Sequence, residues 1–170
     1  IIQMLNILSN FDLENIEHTS IEYITLLKNV MKSAFIDRSK FLGDPIFTKV
    51  PIERLTSKEY ALEVSDKIKK GKSFSEDPIK IYEGEDTTHF SIIDKWGNAV
   101  SNTYTLNTAY GSGIVVRGTG ILMNNEMDDF SQKPGYPNLY GLIGSEANKI
   151  EPKKSPLSSM SPVIITFEDM

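Results

Sequence analysis

The stretch HFSIIDKWGNAVSNTYTL, residues 89–106, carries the clearest secondary-structure pattern in the chain. Two runs within it, HFSIID and AVSNTYTL, alternate polar and apolar residues with the period of two that is typical of a strand. The segment DKWGN between them carries Gly97 and Asn98 at its tip, which indicates a tight turn. These residues therefore predict a β-hairpin, with Trp96 as a partly exposed aromatic side chain in the turn.

Before the hairpin, the apolar residues recur with the spacing of a helix. The stretch TSIE has the pattern of a capping box with Thr19 as the N-cap, and it predicts a helix over 19–36 that a Gly-Asp-Pro stop follows. The stretch TSKE predicts a second helix with Thr56 as the N-cap and Gly71 as the C-terminal stop. Helices followed by strands indicate an α+β fold, with the helices packed on a mainly antiparallel sheet.

A polar segment separates the helical part from the strand-forming part. Residues 71–86, GKSFSEDPIKIYEGED, contain one proline and two glycines, and we expect a mobile connector that is sensitive to proteases. The chain is therefore divided into a helical region, 1–70, this connector, and a sheet region, 87–170. Within the sheet region, ILMNNEMDDF at 121–130 is expected to begin as a strand and continue into a loop, and PVIITF at 162–167 is expected to form a short apolar strand.

The composition limits the classes of function. The chain has 170 residues and a formal net charge of −5, which disfavours a nucleic-acid partner. No apolar run approaches the length of a membrane span. The absence of cysteine excludes disulfides, thiolate metal sites and a cysteine nucleophile in these residues. Because the first residue is Ile1 and the last residues read as a strand entering a turn, we expect an internal piece of a longer protein.

Histidine-dependent and cofactor-dependent chemistry find little support in the sequence. The only histidines are His18 and His89, and no helical histidine pair is present, so neither a metal site nor a cofactor is expected. The glycines in YGSGIVVRGTG fit no nucleotide-binding motif, because no Lys-Ser or Lys-Thr pair follows them. A triad of Ser91, His89 and Asp94 is disfavoured, because residues two apart on a strand do not aim a general base at a hydroxyl.

Thr87 raises a sharper possibility, because it stands at the boundary between an acidic loop and a strand. A threonine hydroxyl is a poor nucleophile without a base. If the bond between Asp86 and Thr87 breaks, the new α-amino group has a pKa of roughly 7.7–8.0 and can act as that base. On pattern alone, the interpretation of Thr87 as an ordinary β-branched residue at the start of a strand is favoured over this one.

Several motifs, in the same order and spacing, make the chain similar to the γ-glutamyltranspeptidase family from about residue 30 onwards. They are AFIDRSKFLGDPIFTKVP, TTHFSIIDKWGNAVSNTYTLN, GTGILMNNEMDDFSQKPG, NLYGL and KSPLSSMSPVI. The family belongs to the N-terminal nucleophile hydrolases, so the resemblance implies part of an αββα sandwich. It also implies a precursor that cleaves itself between Asp86 and Thr87 into a large and a small subunit, which stay together as a heterodimer.

The resemblance assigns roles to residues by their position in these motifs. Thr87 matches the catalytic nucleophile, and Thr105 matches a second catalytic threonine whose hydroxyl contacts it. The remaining positions match residues that bind the substrate: Asn107; Glu126 and Asp129, for its α-amino group; Ser158 and Ser159, for its α-carboxylate; and Tyr140, on the lid loop.

The implied activity is transfer or hydrolysis of the γ-glutamyl group of glutathione and related compounds, with an amino acid or water as the acceptor. The family's oxyanion hole lies downstream of PLSSMSP, and its substrate-clamping arginine lies upstream of Ile1. We therefore expect the 170 residues alone to be inactive. Family members are commonly exported, so a periplasmic or extracellular location is an expectation from the resemblance.

Two alternatives remain open at this point. The first is a related acylase that acts on the side chains of β-lactams, for which a serine nucleophile and an altered carboxylate grip are expected. The second is a non-catalytic, uncleaved fragment that binds partners through an open sheet edge.

Overall fold

The computed structural model describes residues 1–72, 87–138 and 141–167. Four helices come first: α1 (Ile2–Leu8), α2 (Ile21–Phe41), α3 (Ile52–Leu55) and α4 (Lys58–Lys69). Two strands follow, β1 (Thr88–Ile93) and β2 (Ala99–Tyr104). Single 3₁₀ turns lie at Leu13–Asn15, Glu126–Asp129 and Glu146–Asn148. The α+β class is confirmed, while residues 73–86 of the predicted connector lie outside the described part of the chain.

The helices bury a small core of their own. Helices α1, α2 and α4 contact one another and enclose Ile7, Leu26, Val30, Ala61 and Val64. Helix α1 was not predicted, because it has no side-chain cap and five of its seven residues, IQMLNIL, are apolar. None of the helices in the described ranges is long and apolar enough to cross a membrane.

Helix α2 begins one residue later than its capping-box pattern predicted. The N-cap is Ser20, whose Oγ accepts a hydrogen bond from the Tyr23 backbone N at 3.1 Å. The assignment of Thr19 as N-cap was wrong, because Thr19 has a φ of 66° and is not in the extended conformation of an N-cap. The helix also continues to Phe41, five residues beyond the predicted end, and stops just before the Gly-Asp-Pro sequence.

Helix α4 shows the same shift at its start. Ser57 caps it by accepting from the Tyr60 N at 3.1 Å, whereas the Thr56 hydroxyl donates to the Ile52 carbonyl and belongs to the end of α3. The Thr56 prediction was therefore wrong. Gly71 ends the helix as predicted, with a φ of 64° and an N–H that donates to the Ile68 carbonyl at 2.9 Å.

The predicted hairpin is confirmed. Strands β1 and β2 are antiparallel, with Thr88 opposite Tyr104 and Ile93 opposite Ala99. The turn closes through Asp94 N, which donates to the Asn98 carbonyl at 3.0 Å. Trp96 in the turn is 76% exposed, somewhat more than predicted.

The two further strands predicted after the hairpin are not formed within the described residues. Over 121–130 there is an isolated bridge between Val115 and Leu122, followed by the 3₁₀ turn. Residues 162–167 have no regular secondary structure, and Ile165 is 75% exposed. A strand needs a neighbour to satisfy its backbone groups, and the described chain supplies none for this apolar segment.

Contacts between the end of α2 and the distant segment 143–159 hold the helical part against the part that follows the hairpin. The Ser145 hydroxyl donates to the Lys40 carbonyl at 3.0 Å, and Ser155 N donates to the Asp44 carboxylate at 2.9 Å. This backbone donor holds the pKa of Asp44 below its usual value. A Cβ on Gly43 would collide with the Ala147 carbonyl oxygen, so this close approach of the two backbones requires glycine.

Candidate functional site

The two threonines assigned to catalysis face each other across the hairpin. Because Thr88 pairs with Tyr104, the next position outward on each strand places Thr87 opposite Thr105. The Thr87 hydroxyl donates to the Thr105 Oγ1 at 3.2 Å. Thr87 is exposed and immediately precedes β1, so the strand fixes the backbone that carries its hydroxyl.

Thr105 is oriented by the residues that follow it. The Asn107 backbone N–H donates to the Thr105 Oγ1 at 2.9 Å. Since that oxygen accepts from the backbone, the Thr105 proton is available to the oxygen of Thr87 when Thr87 acts as a nucleophile. The arrangement can therefore stabilise negative charge that develops on the Thr87 oxygen.

Asn107 connects the threonine pair to the acidic 3₁₀ turn. Its backbone is in the left-handed region, with a φ of 77°, and its side-chain Nδ2 donates to the Asn125 carbonyl at 3.3 Å. The Asn125 N–H in turn donates to the Leu106 carbonyl at 3.2 Å. These bonds place Glu126, the next residue, close to the end of β2.

The two carboxylates assigned to the substrate's α-amino group lie in that turn and interact directly. Burial, together with a hydrogen bond and the negative charge of Glu126, raises the pKa of Asp129 to about 7, whereas the charge of Arg38 acts to lower it. The negative charge of each carboxyl disfavours ionisation of the other. A cation bound between them would therefore favour loss of the proton from the carboxyl pair. The pair therefore has the chemistry of a site for an ammonium group.

The two serines assigned to the α-carboxylate are held on an exposed loop. Ser158 Oγ accepts from the Met160 backbone N at 3.1 Å. Ser159 Oγ accepts from an Nη atom of Arg38 at 2.8 Å. Sequence reasoning missed Arg38, and its only signal was its position in AFIDRSKF, a motif that was used for the resemblance and not for the site.

A cavity of about 230 Å³ lies between the end of α2 and the segment that follows the hairpin. Its lining includes Arg38, Asp129, Tyr136, Asn138 and Ser159. The structure thus brings into one cavity Asp129, which is assigned to the α-amino group, and Ser159, which is assigned to the α-carboxylate. Thr87 and Thr105 are not part of the lining, and the Asn107–Asn125 contact links them to it.

Two predicted site residues, Asp86 and Tyr140, lie outside the described residues. Within the described ranges, no group of three or more histidine, aspartate or glutamate side chains could hold a metal ion. His89 Nε2 lies 3.1 Å from Ser91 Oγ, but the Asp94 carboxylate accepts from the turn residues Trp96 and Asn98. No Ser–His–Asp triad therefore forms there.

Comparison with known proteins gives consistent results. The family model described as Gamma-glutamyltranspeptidase matches residues 1–170. The chain is 52% identical to the Glutathione hydrolase proenzyme of Escherichia coli over 97% of this chain and 29% of the relative. It is 48% identical to that of Pseudomonas aeruginosa over 96% of this chain and 30% of the relative. The chain therefore spans about 30% of the length of these curated relatives.

Among solved structures, the crystal structure of a cephalosporin acylase from Bacillus halodurans is similar over most of the chain. The TM-score is 0.67 and the sequence identity 27%, over 94% of this chain and 26% of the acylase. This likeness extends over both the helical part and the hairpin, and it supports the α+β assignment.

Proposed function

The chain belongs to the gamma-glutamyltranspeptidase family, and from this membership we propose that it forms part of an enzyme that transfers or hydrolyses γ-glutamyl groups. Glutathione and related γ-glutamyl compounds are the proposed donors, and water or an amino acid is the proposed acceptor. The observation that carries the proposal is the Thr87–Thr105 hydroxyl pair at 3.2 Å, linked through Asn107 to the turn that bears Asp129.

The first proposed step is self-cleavage of the precursor. The Thr87 hydroxyl attacks the carbonyl carbon of Asp86, and the acyl group moves from the Thr87 nitrogen to its oxygen, which forms an ester. Water then hydrolyses this ester, releasing the Asp86 carboxylate and a free Thr87 with both its amine and its hydroxyl. The products are a large and a small subunit that remain together, and the contacts of Asp44 and Lys40 with 145–155 support such an association.

In turnover, the Thr87 α-amine accepts the hydroxyl proton while the oxygen attacks the γ-carbonyl carbon of the substrate. The tetrahedral intermediate collapses, the C–N bond breaks, and the leaving amine takes the proton from the Thr87 ammonium. Water or an amino acid then attacks the glutamyl ester, and the Thr87 hydroxyl is restored. Thr105 donates a hydrogen bond to the Thr87 oxygen as charge develops on it.

The selectivity for a γ-glutamyl group follows from the groups assigned to the far end of the substrate. Glu126 and Asp129 accept hydrogen bonds from the α-ammonium, and Ser158 and Ser159 donate to the α-carboxylate. When both α-groups are held in this way, the side-chain carbonyl is presented to Thr87. Substrates that lack one of them leave polar groups of the site unpaired.

The proposal places the oxyanion hole and a substrate-clamping arginine elsewhere in the full-length protein, since this chain spans only about 30% of its curated relatives. Tyr140 is proposed to belong to a lid over the pocket. An exported, periplasmic or extracellular location is proposed by analogy with the family.

The test uses the full-length protein with Thr87→Ala. The wild type is expected to give two chains on a denaturing gel and to release nitroaniline from γ-glutamyl p-nitroanilide, and Thr87→Ala should do neither. Cleavage or turnover that persists in Thr87→Ala would refute the role of this residue. Thr88→Ala is the matched control, because it removes the neighbouring threonine hydroxyl and should leave both reactions in place.

The likeness to a cephalosporin acylase supports one second candidate, an acylase acting on glutaryl or related amides. A glutaryl anilide lacks the α-amino group, so Glu126 and Asp129 would have no cation to bind. A full-length enzyme that prefers the glutaryl anilide to the γ-glutamyl anilide would establish the acylase and exclude the transpeptidase.

A further inference from the structure

We propose that Arg38 is a positioning residue of the γ-glutamyl site, which orients the Ser159 hydroxyl so that its proton points to the α-carboxylate of the substrate. This inference rests on the function proposed above and adds to it a residue that neither the motif pattern nor the resemblance assigned.

The hydrogen bond between the two side chains sets the direction of the Ser159 proton. Arg38 Nη2 lies 2.8 Å from Ser159 Oγ. A guanidinium has only donors, so the Ser159 oxygen must accept, and its proton is left for a different acceptor. A carboxylate has only acceptors. Ser159 is therefore prepared as a donor to the α-carboxylate before the substrate arrives.

The surroundings of Arg38 explain why its guanidinium is directed to the cavity. Its sequence neighbour Asp37 is engaged elsewhere, since the Asp37 carboxylate accepts from Gln3 Nε2 at 2.6 Å and from the Tyr60 hydroxyl at 2.9 Å. Arg38 is partly buried in the cavity wall together with Asp129 and Ser159. Burial lowers the pKa of Arg38, and the negative charge of Asp129 raises it.

This geometry also couples the two subunits that the proposed cleavage would create. Arg38 precedes Thr87 in the sequence and Ser159 follows it, so the two residues would lie on different product chains. The large-subunit side would then contribute the donor that orients a substrate-binding group of the small-subunit side. The substrate site is incomplete without both.

The test compares three p-nitroanilides on the full-length enzyme with Arg38→Gln. The γ-glutamyl compound carries both α-groups, the glutaryl compound keeps only the carboxylate, and the 4-aminobutyryl compound keeps only the ammonium. We expect kcat/KM to fall about ten- to a hundredfold for the two anilides that carry the carboxylate, mainly through a higher KM. All three anilides are compared at pH 9, well above the pKa of about 7 of Asp129, so that loss of the Arg38 charge does not leave Asp129 protonated. The 4-aminobutyryl anilide should then change by less than about threefold, because its hydrolysis does not use Ser159.

Three further variants make the result specific. Lys40→Gln removes a positive charge from an exposed position on the same helix and should keep wild-type constants. Arg38→Lys should restore only part of the loss, because an ammonium lacks the planar fork of the guanidinium. Combining Arg38→Gln with Ser159→Ala should cost no more than Ser159→Ala alone, since both changes remove the same interaction.

The outcomes separate this inference from the proposed function. A wild-type protein that neither cleaves before Thr87 nor hydrolyses the γ-glutamyl anilide overturns both. If the wild type is active but Arg38→Gln lowers kcat/KM equally for all three anilides, the inference alone is overturned. The same holds if the loss in Arg38→Gln adds in full to the loss in Ser159→Ala. If Arg38→Gln is not processed into two chains, the same three-anilide comparison with Arg38→Lys decides by the same criterion.

Discussion

The raised pKa of Asp129 predicts a distinctive pH dependence for the recognition of the α-amino group. Burial and the neighbouring Glu126 raise this pKa to about 7, against the opposing charge of Arg38. A protonated Asp129 offers no negative charge to an ammonium. The affinity for substrates that carry an α-amino group should therefore increase as the pH rises through 7.

The size of the effect follows from the ionised fraction. With a pKa of about 7, roughly one tenth of Asp129 is ionised at pH 6 and roughly nine tenths at pH 8. If only the ionised form binds the ammonium well, kcat/KM for a γ-glutamyl anilide rises about tenfold from this cause alone. The other charged groups around Asp129 are Glu126, Asp128 and Arg38.

The assay must separate Asp129 from the Thr87 α-amine, whose pKa of roughly 7.7–8.0 lies in the same range. The ratio of kcat/KM for γ-glutamyl p-nitroanilide to that for glutaryl p-nitroanilide cancels the pH dependence that comes from the Thr87 α-amine, because both substrates need that amine equally. We expect this ratio, measured with the full-length enzyme, to rise about tenfold between pH 6 and pH 8.

The matched variant is Asp129→Asn, which should flatten the ratio and lower it at pH 8, because an amide does not titrate and carries no charge. A wild-type ratio that stays constant between pH 6 and pH 8 would show that Asp129 is already ionised at pH 6. In that case the reasoning from its burial and from Glu126 would be refuted.

Three more predictions concern the fold and the threonine pair. Thr105→Val should lower kcat about ten- to a hundredfold with little change in KM, because it removes a hydrogen bond to the developing charge, and Thr105→Ser should recover most of it; an unchanged kcat in the valine variant would contradict the role. Ser57→Ala should destabilise the fold by about 1 kcal/mol in denaturant unfolding and Thr56→Ala by less, and the reverse order would contradict the observed cap. Gly43→Ala should cost about 1–3 kcal/mol of unfolding free energy, because its Cβ would meet the Ala147 carbonyl, and a wild-type melting temperature would show that the approach is looser.

Local patterns predicted the parts of the fold that local forces determine. The hairpin over 89–106 has a turn sequence that closes on itself and strands that pair with immediate neighbours, so its register follows from a few adjacent residues. Gly71 ends α4 because glycine readily adopts the left-handed conformation in which its N–H donates to the Ile68 carbonyl. The caps were misplaced by one residue, because TSIE and TSKE each offer two hydroxyls and the backbone conformation selects between them.

The expected strands within 121–130 and at 162–167 are not formed in the described residues, because a strand depends on a partner that often lies far away in the sequence. Their apolar residues match the pattern of a buried strand, but the described residues supply no neighbour to pair with 162–167. Helix α1, which the local pattern did not predict, also depends on contacts with distant residues. Its apolar residues become a helix face only when α2 and α4 cover them.

For the candidate site, the motifs and their resemblance to a known family predicted the class of chemistry: a threonine that can become a chain terminus, carboxylates for a cation and short hydroxyls for an anion. Which of these side chains lie close to one another depends on the folded chain. It placed Thr87 against Thr105, raised the pKa of Asp129, and brought Arg38 to Ser159 across 121 positions of the chain. Charge, burial and hydrogen bonding act through distances of a few ångströms, and distances between residues far apart in the sequence exist only in the folded chain.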